Sequence, residues 1–169
     1  MNHPVNEPIL SYSPGSEERI EIQAELDRQM KEVIEIPCII NGEEVFTGNI
    51  ATQVIPHNHN HIIARVHLAG KDEMENACKA AVNAQKNWIE MGLESRCEIF
   101  ERCADLLAGE WRMKVNASTM LNQSKTVFQA EIDSACELID FWRFNCYYAR
   151  NFHDDFQPCL LYTSPSPRD

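Results

Sequence analysis

From residue 71 onward apolar and polar positions alternate with a helical period. Met74, Ala77, Cys78, Ala81, Gln85 and Trp88 recur three and four apart until Gly92, and Asp72 stands where a cap is expected. Cys97, Phe100, Cys103, Ala104 and Leu107 form the stripe of a second helix, stopped by Gly109. Residues 111–122 predict a third. Thr126 opens the fourth and longest, with Phe128, Ile132, Ala135, Leu138, Ile139, Trp142, Cys146 and Ala149 facing inward.

The first half of the chain reads differently. Residues 1–15 are polar and carry Pro4, Pro8, Pro14 and Gly15, which predicts an extended arm. Ser16 then caps a helix whose first turns hold Glu17, Glu18 and Glu21, where carboxylates complement the dipole. Ile20, Ala24, Met30 and Ile34 give it a modest stripe, and it should end before Pro37. Between residues 36 and 66 the period drops to two. Ile36, Cys38 and Ile40 alternate, Asn41-Gly42 turns the chain, and residues 43–46 lead out again. A second hairpin joins residues 53–55 to residues 62–66 over a turn spanning Pro56 to Asn60. Both are expected along one edge. The fold class is α+β, mostly helical: an N-terminal helix, two short β-hairpins, then four helices. One domain spans residues 16–158.

Composition narrows the function classes. A chain of 169 residues with 44% apolar and 24% charged positions can bury a core. A formal net charge of −11 with no basic cluster argues against a nucleic-acid partner and against an anionic membrane surface. No apolar run approaches the ~20 residues that span a bilayer. Seven cysteines, odd in number and without a Cys-x-x-Cys, fall mostly on helix faces, which predicts free thiols in a reducing compartment. The sequons at Asn116 and Asn122 lie in a helical stretch and are expected to be unused.

Candidate chemistry is sparse. His57, His59 and His61 alternate with asparagines; on a strand they would share a face fit for zinc or copper, whereas Pro56 and the asparagines favour a hairpin loop. No cysteine or carboxylate completes the motif locally, so no metal is expected. Ser124-Lys125-Thr126 lacks the glycines of a phosphate loop. Asp133, Glu137 and Asp140 cluster as a solvated face, but Glu131 lies near the apolar stripe, where an acid needs a partner or a task. Residues 142–148 are aromatic and read as packing rather than base stacking. No cysteine has the glycine-rich setting or nearby histidine of a nucleophile.

The stretch from Gln129 to Asn145, with Lys125-Thr126 before it, resembles the last helix of the N-terminal helical layer of aldehyde dehydrogenases. It is most similar to the 1-pyrroline-5-carboxylate (L-glutamate γ-semialdehyde) dehydrogenase branch. Asn6-Glu7-Pro8-Ile9-Leu10 resembles the opening of that branch. Ile36 to Ile40 with Gly42 to Val45 resembles its first hairpin, and Pro56-His57-Asn58-His59 one of its turns. Arg96, Phe100 and Leu106-Leu107 follow the wider helical pattern. The likeness covers residues 6–158.

That resemblance implies the N-terminal share of an NAD-binding domain, incomplete here, in an enzyme of the mitochondrial matrix. The whole protein would oxidise L-glutamate γ-semialdehyde to L-glutamate with NAD, in proline degradation, as a homo-oligomer acting on a small aldehyde. In the family a cysteine attacks the aldehyde, hydride passes to NAD, and a glutamate activates water. The sequence contains no Gly-Gln-x-Cys, no Pro-x-Asn oxyanion segment, no Phe-Thr-Gly-Ser nucleotide turn and no Gly-Gly-Lys segment. No catalytic or cofactor-binding residue is therefore assigned, and the piece alone is expected to be inactive. Only Glu131 is carried over, as a residue near the substrate entrance. The rival reading is a non-catalytic short form that acts as a binding module. Met1 to Pro4 has no transit-peptide character. Residues 159–169 share no pattern with the rest and resemble adapter read-through, so they are read as a disordered, non-native tail.

Overall fold

The structure is a computed structural model and describes residues 3–155. Its elements are α1 (Glu17–Gln29), β1 (Ile34–Ile36), β2 (Cys38–Ile40), β3 (Glu43–Val45), β4 (Ile50–Ile55), β5 (Asn58–His67), α2 (Lys71–Glu90), α3 (Gly92–Ala108), α4 (Arg112–Gln123), α5 (Val127–Ala130) and α6 (Glu137–Asp155). Residues Glu131–Cys136, between α5 and α6, are wound as a π-helix. The tail assigned to residues 159–169 lies outside the described residues.

The mostly helical α+β pattern holds, with three local departures. The first helix stops at Gln29, earlier than its stripe suggested. Lys31 and Glu32 donate their N–H groups to Arg28 and Gln29 carbonyls in closing turns. Ile34 is then free to become a strand residue, and β1 pairs parallel with β5, Ile34 opposite Ala64 and Ile36 opposite Val66. The spacing from Met30 to Ile34 suits a helix, but strand pairing prevails. A second departure is the turn of the second hairpin. It is confined to Pro56 and His57, because Ile55 already pairs with Asn58. The third is the cap of α2. Gly70 holds that position, and the Glu73 carboxylate accepts the Gly70 N–H at 2.8 Å; Asp72 merely lies in the first turn.

The sheets are small. β1, β5 and β4 form one, in that order, and β2–β3 is a separate antiparallel hairpin. Its turn residues have φ of 54° at Asn41 and 80° at Gly42, the left-handed pair that a two-residue hairpin turn demands. Where α2 passes into α3, Gly92, the first residue of α3, has φ of 80° and redirects the helix.

Burial is concentrated around α4 and the long final helix. Ala104 and Leu107 of α3 close on Ala135 and Ile139. Tyr12 and Ile22 close on Ala117, joined by Leu10, Leu26, Met113 and Val127. Ile55 and Ile63 of the sheet close on Leu121. By contrast, α2 runs for 20 residues without one buried side chain.

Candidate functional site

Thr126 starts the final helix as the sequence predicts. Its hydroxyl accepts the Gln129 N–H, and the Gln129 side chain accepts the Thr126 N–H in return. One turn later the winding widens. An α-helix brings residues four apart into line, whereas a π turn aligns residues five apart. The buried set accordingly runs Ala130, Glu131, Ala135, Cys136, Ile139 and Cys146. Phe128 and Leu138, expected inward, are 60% and 37% exposed. Ile139 and Cys146, also expected inward, are buried, so the departure is local to the two ends of the π turn.

The same turn buries Glu131 completely, at 0% exposure. One carboxylate oxygen accepts the Leu10 N–H at 2.8 Å and an Arg112 guanidinium N–H. The other accepts the Tyr12 hydroxyl at 2.7 Å, the Asn116 amide at 2.8 Å and Arg112 Nε at 3.3 Å. Burial alone would raise its pKa, but Arg112, the Leu10 N–H and Tyr12 together hold the carboxyl below the usual carboxylate range. Tyr12 shifts the opposite way: burial first, then its bond to Glu131, pushes the phenol well above its ordinary value. Cys136, also buried beside Glu131, is raised to about 11, so its thiol stays protonated and unreactive near neutrality.

Arg112 links this centre to the arm. It donates to the Glu7 carboxylate at 2.6 Å and to the Pro8 carbonyl at 2.7 Å. Arg143 of α6 takes the other Glu7 oxygen at 2.6 Å. Asp140, read as part of a solvated face, accepts the Asn6 amide and the Glu7 N–H, both at 2.7 Å. Its two neighbours in that reading, Asp133 and Glu137, are exposed, and Asp133 pairs with Lys125 at 2.6 Å. Arg112, Asn116, Tyr12 and Glu7 were not singled out from the sequence as partners of Glu131. The available signal was Arg112 and Asn116, four apart on the α4 face that also carries Met113 and Ala117. Polar groups on an apolar face call for a buried partner.

Of the three alternating histidines, two make structural contacts and His59 is exposed. His57 Nδ1 lies 2.6 Å from the Ser124 hydroxyl, and His61 Nε2 lies 2.9 Å from the Met30 carbonyl. Among the described residues no group of three or more His, Cys, Asp or Glu could hold a metal. The six described cysteines are free. Asn116 is enclosed, with its amide engaged by Tyr12 and Glu131, which leaves no room for a glycan. No helix among the described residues is long and apolar enough to cross a membrane. A dinucleotide needs a helix start free to receive phosphate. At the one that follows β5, the Glu73 carboxylate already accepts the Gly70 N–H.

An apolar cavity of about 390 Å³ opens between α3 and α6, lined by Trp88, Phe100, Trp142 and the buried Cys97 and Cys146. Cys146 is raised to about 12, by burial first and then by Cys97. Arg150, below it, spans Glu94 at 2.7 Å and Glu101, tying the end of α6 to α3.

The sequence profile of the aldehyde dehydrogenase family matches residues 47–165. The chain is 44% identical over 149 residues to the mitochondrial Δ1-pyrroline-5-carboxylate dehydrogenase of Danio rerio, covering 88% of this chain and 27% of that protein. To the Δ1-pyrroline-5-carboxylate dehydrogenase of Agaricus bisporus it is 43% identical over 154 residues, covering 90% and 28%. The crystal structure of the Δ-pyrroline-5-carboxylate dehydrogenase from Mycobacterium tuberculosis superposes with a TM-score of 0.90 at 41% identity, covering 94% of this chain and 29% of that one. The chain thus spans under a third of the length of these relatives. Together with the helical layer described above, these likenesses show that the chain belongs to the aldehyde dehydrogenase family.

Proposed function

We propose that the protein carrying this chain as its N-terminal share oxidises L-glutamate γ-semialdehyde to L-glutamate with NAD, in proline degradation in the mitochondrial matrix, as a homo-oligomer. What supports this is the branch-level likeness: relatives at 43–44% identity bear the name Δ1-pyrroline-5-carboxylate dehydrogenase, and the match covers 88–90% of this chain. In this reading the chain builds the helical layer and supplies neither nucleophile, base nor nucleotide cradle. NAD would deliver hydride acceptance elsewhere in the whole protein. Expressed by itself, the 169-residue chain turns over no aldehyde.

Glu131 enters the reading as a residue beside the substrate entrance. Its lone pairs are taken up by this chain's own donors, so it acts by holding Arg112, Tyr12 and Asn116 in place. It is a positioning residue.

The deciding experiment measures NADH formation from L-glutamate γ-semialdehyde by the whole protein and by the chain alone. Turnover by the former and none above a no-enzyme blank by the latter is expected; the converse, or neither, overturns the proposal. For Glu131, Glu131→Ala in the whole protein is expected to raise KM for the semialdehyde more than for an aldehyde lacking the amino-acid end. The difference should be about 1–2 kcal/mol, passed to the substrate through the Arg112, Tyr12 and Asn116 side chains that Glu131 holds. Equal effects on both substrates would leave Glu131 no part in recognition.

A further inference from the structure

The arm meets the helices as a bound peptide meets a receptor. Asn6 and the Glu7 N–H are read by Asp140, the Glu7 carboxylate by Arg112 and Arg143, the Pro8 carbonyl by Arg112, and the Leu10 N–H by Glu131. Backbone and side-chain groups are thus recognised in alternation, which fixes both register and direction. Leu10 and Tyr12 supply apolar anchors, Tyr12 being 5% exposed. At the outer end the His3 ring rests edge-on against Phe144, 5.7 Å between centroids, and near Tyr147 at 4.9 Å. The receiving groups belong to α4, the π-helical segment and α6, elements at least 100 residues along the chain from the arm. The connection back to α1 is a tight turn, Ser16 N–H to Ser13 carbonyl at 3.0 Å, with left-handed backbone at Gly15 inside it and at Tyr12 just before it.

Such a surface recognises a sequence, and covalent attachment only raises that sequence's effective concentration. We infer that the face built by Arg112, Glu131, Asp140 and Arg143 is a peptide-recognition surface whose ligand is the segment Asn6–Tyr12, and that it takes this segment from a second copy of the chain when its own arm is displaced. The hinge is the turn over Ser13–Gly15. Recognition centres on the fork of Arg112 and Arg143 around Glu7, a geometry that selects a carboxylate over an amide or a cation.

The probe is a fluorescently labelled peptide of residues 3–13, titrated by anisotropy into the full chain. With Glu7→Lys in the chain, the resident arm meets two guanidiniums and undocks. Saturable binding of the unmodified peptide is then expected. Binding to the unaltered chain should be weaker by about tenfold or more, because the resident arm competes at millimolar effective concentration. A peptide carrying the same Glu7→Lys change should not bind. Equal binding of both peptides, or no difference between the two chains, overturns the inference. Should the variant chain fail to fold, hydrogen exchange in the unaltered chain serves instead. The Glu7 and Leu10 amides, donated to Asp140 and Glu131, should open together and faster than that of Ile22 in α1. Separate opening, or exchange at the rate of Ile22, would show the arm to be no separable ligand.

Discussion

The two longest helical runs differ in what their sequence pattern leads to. α2 has a clear amphipathic stripe, yet Met74, Val82 and Ile89 are 59%, 69% and 61% exposed. The run from Val127 to Asp155 has a less regular pattern, yet it buries seven residues and holds the one fully enclosed carboxylate among the described residues. An apolar stripe states that a helix expects cover; it does not state where the cover comes from. For the π-helical region the cover lies within the chain, in the arm, α3 and α4. For α2 the described residues supply little beyond its ends.

The sharpest way to break that comparison is to remove Glu131. Glu131→Ala leaves the Arg112 guanidinium, the Tyr12 hydroxyl and the Leu10 N–H without an acceptor in a buried site. It should destabilise the chain by about 3–5 kcal/mol, read from denaturant unfolding. Ile139→Ala, at a site with 0% exposure packed by Ala104, Leu107 and Ala135, should follow at about 2–4 kcal/mol. A loss under about 1 kcal/mol in either would mean that the hub is not where stability resides.

Acid should act through the same hub. The Glu131 carboxyl is more acidic folded than unfolded, so its contribution is complete above the unfolded value of about 4.3 and disappears as pH falls through the lower folded value. Stability should therefore decline below about pH 4, with Glu131→Gln showing a shallower decline when unfolding is followed across pH 2–6. The same slope in both proteins would place the acid sensitivity elsewhere.

At the small end, Val82→Ser on α2 should change stability by no more than about 0.5 kcal/mol. The α2 amides should also exchange with solvent well before those near Ile139, since a helix with little buried contact opens locally. A large loss from Val82→Ser would show α2 to be anchored, and the contrast would vanish.

Much of the fold was readable because its signals are local. Asn41-Gly42, the Thr126 capping box and Gly92 each declare themselves within a few residues. Glu131 also declared itself, as an acid on an apolar stripe. What escaped was non-local or depended on a single inserted position. β1 was hidden because Met30 and Ile34 keep helical spacing, and only pairing with Ala64 and Val66, some 30 residues away, makes Ile34–Ile36 a strand. The partners of Glu131 were hidden because Tyr12 and Arg112 reach it across 119 and 19 residues. Asp140 looked solvated because its ligands, Asn6 and Glu7, come from the other end of the chain. Pattern reading sees one helix at a time, and an ionic hub is assembled from several.

The π-helical turn makes the chain's length locally sacred. Each residue advances an α-helix by about 100° of rotation and 1.5 Å of rise. Deleting one residue, such as the partly exposed Ser134, would let residues 131–136 relax into ordinary α winding. Everything from Glu137 onward would then swing by roughly a quarter of a turn relative to α3. Ile139 and Cys146 would leave the interior, and Arg150 would lose its reach to Glu94 and Glu101. Point substitutions test one contact at a time, whereas a single-codon deletion here would retune the phase of the whole C-terminal helix.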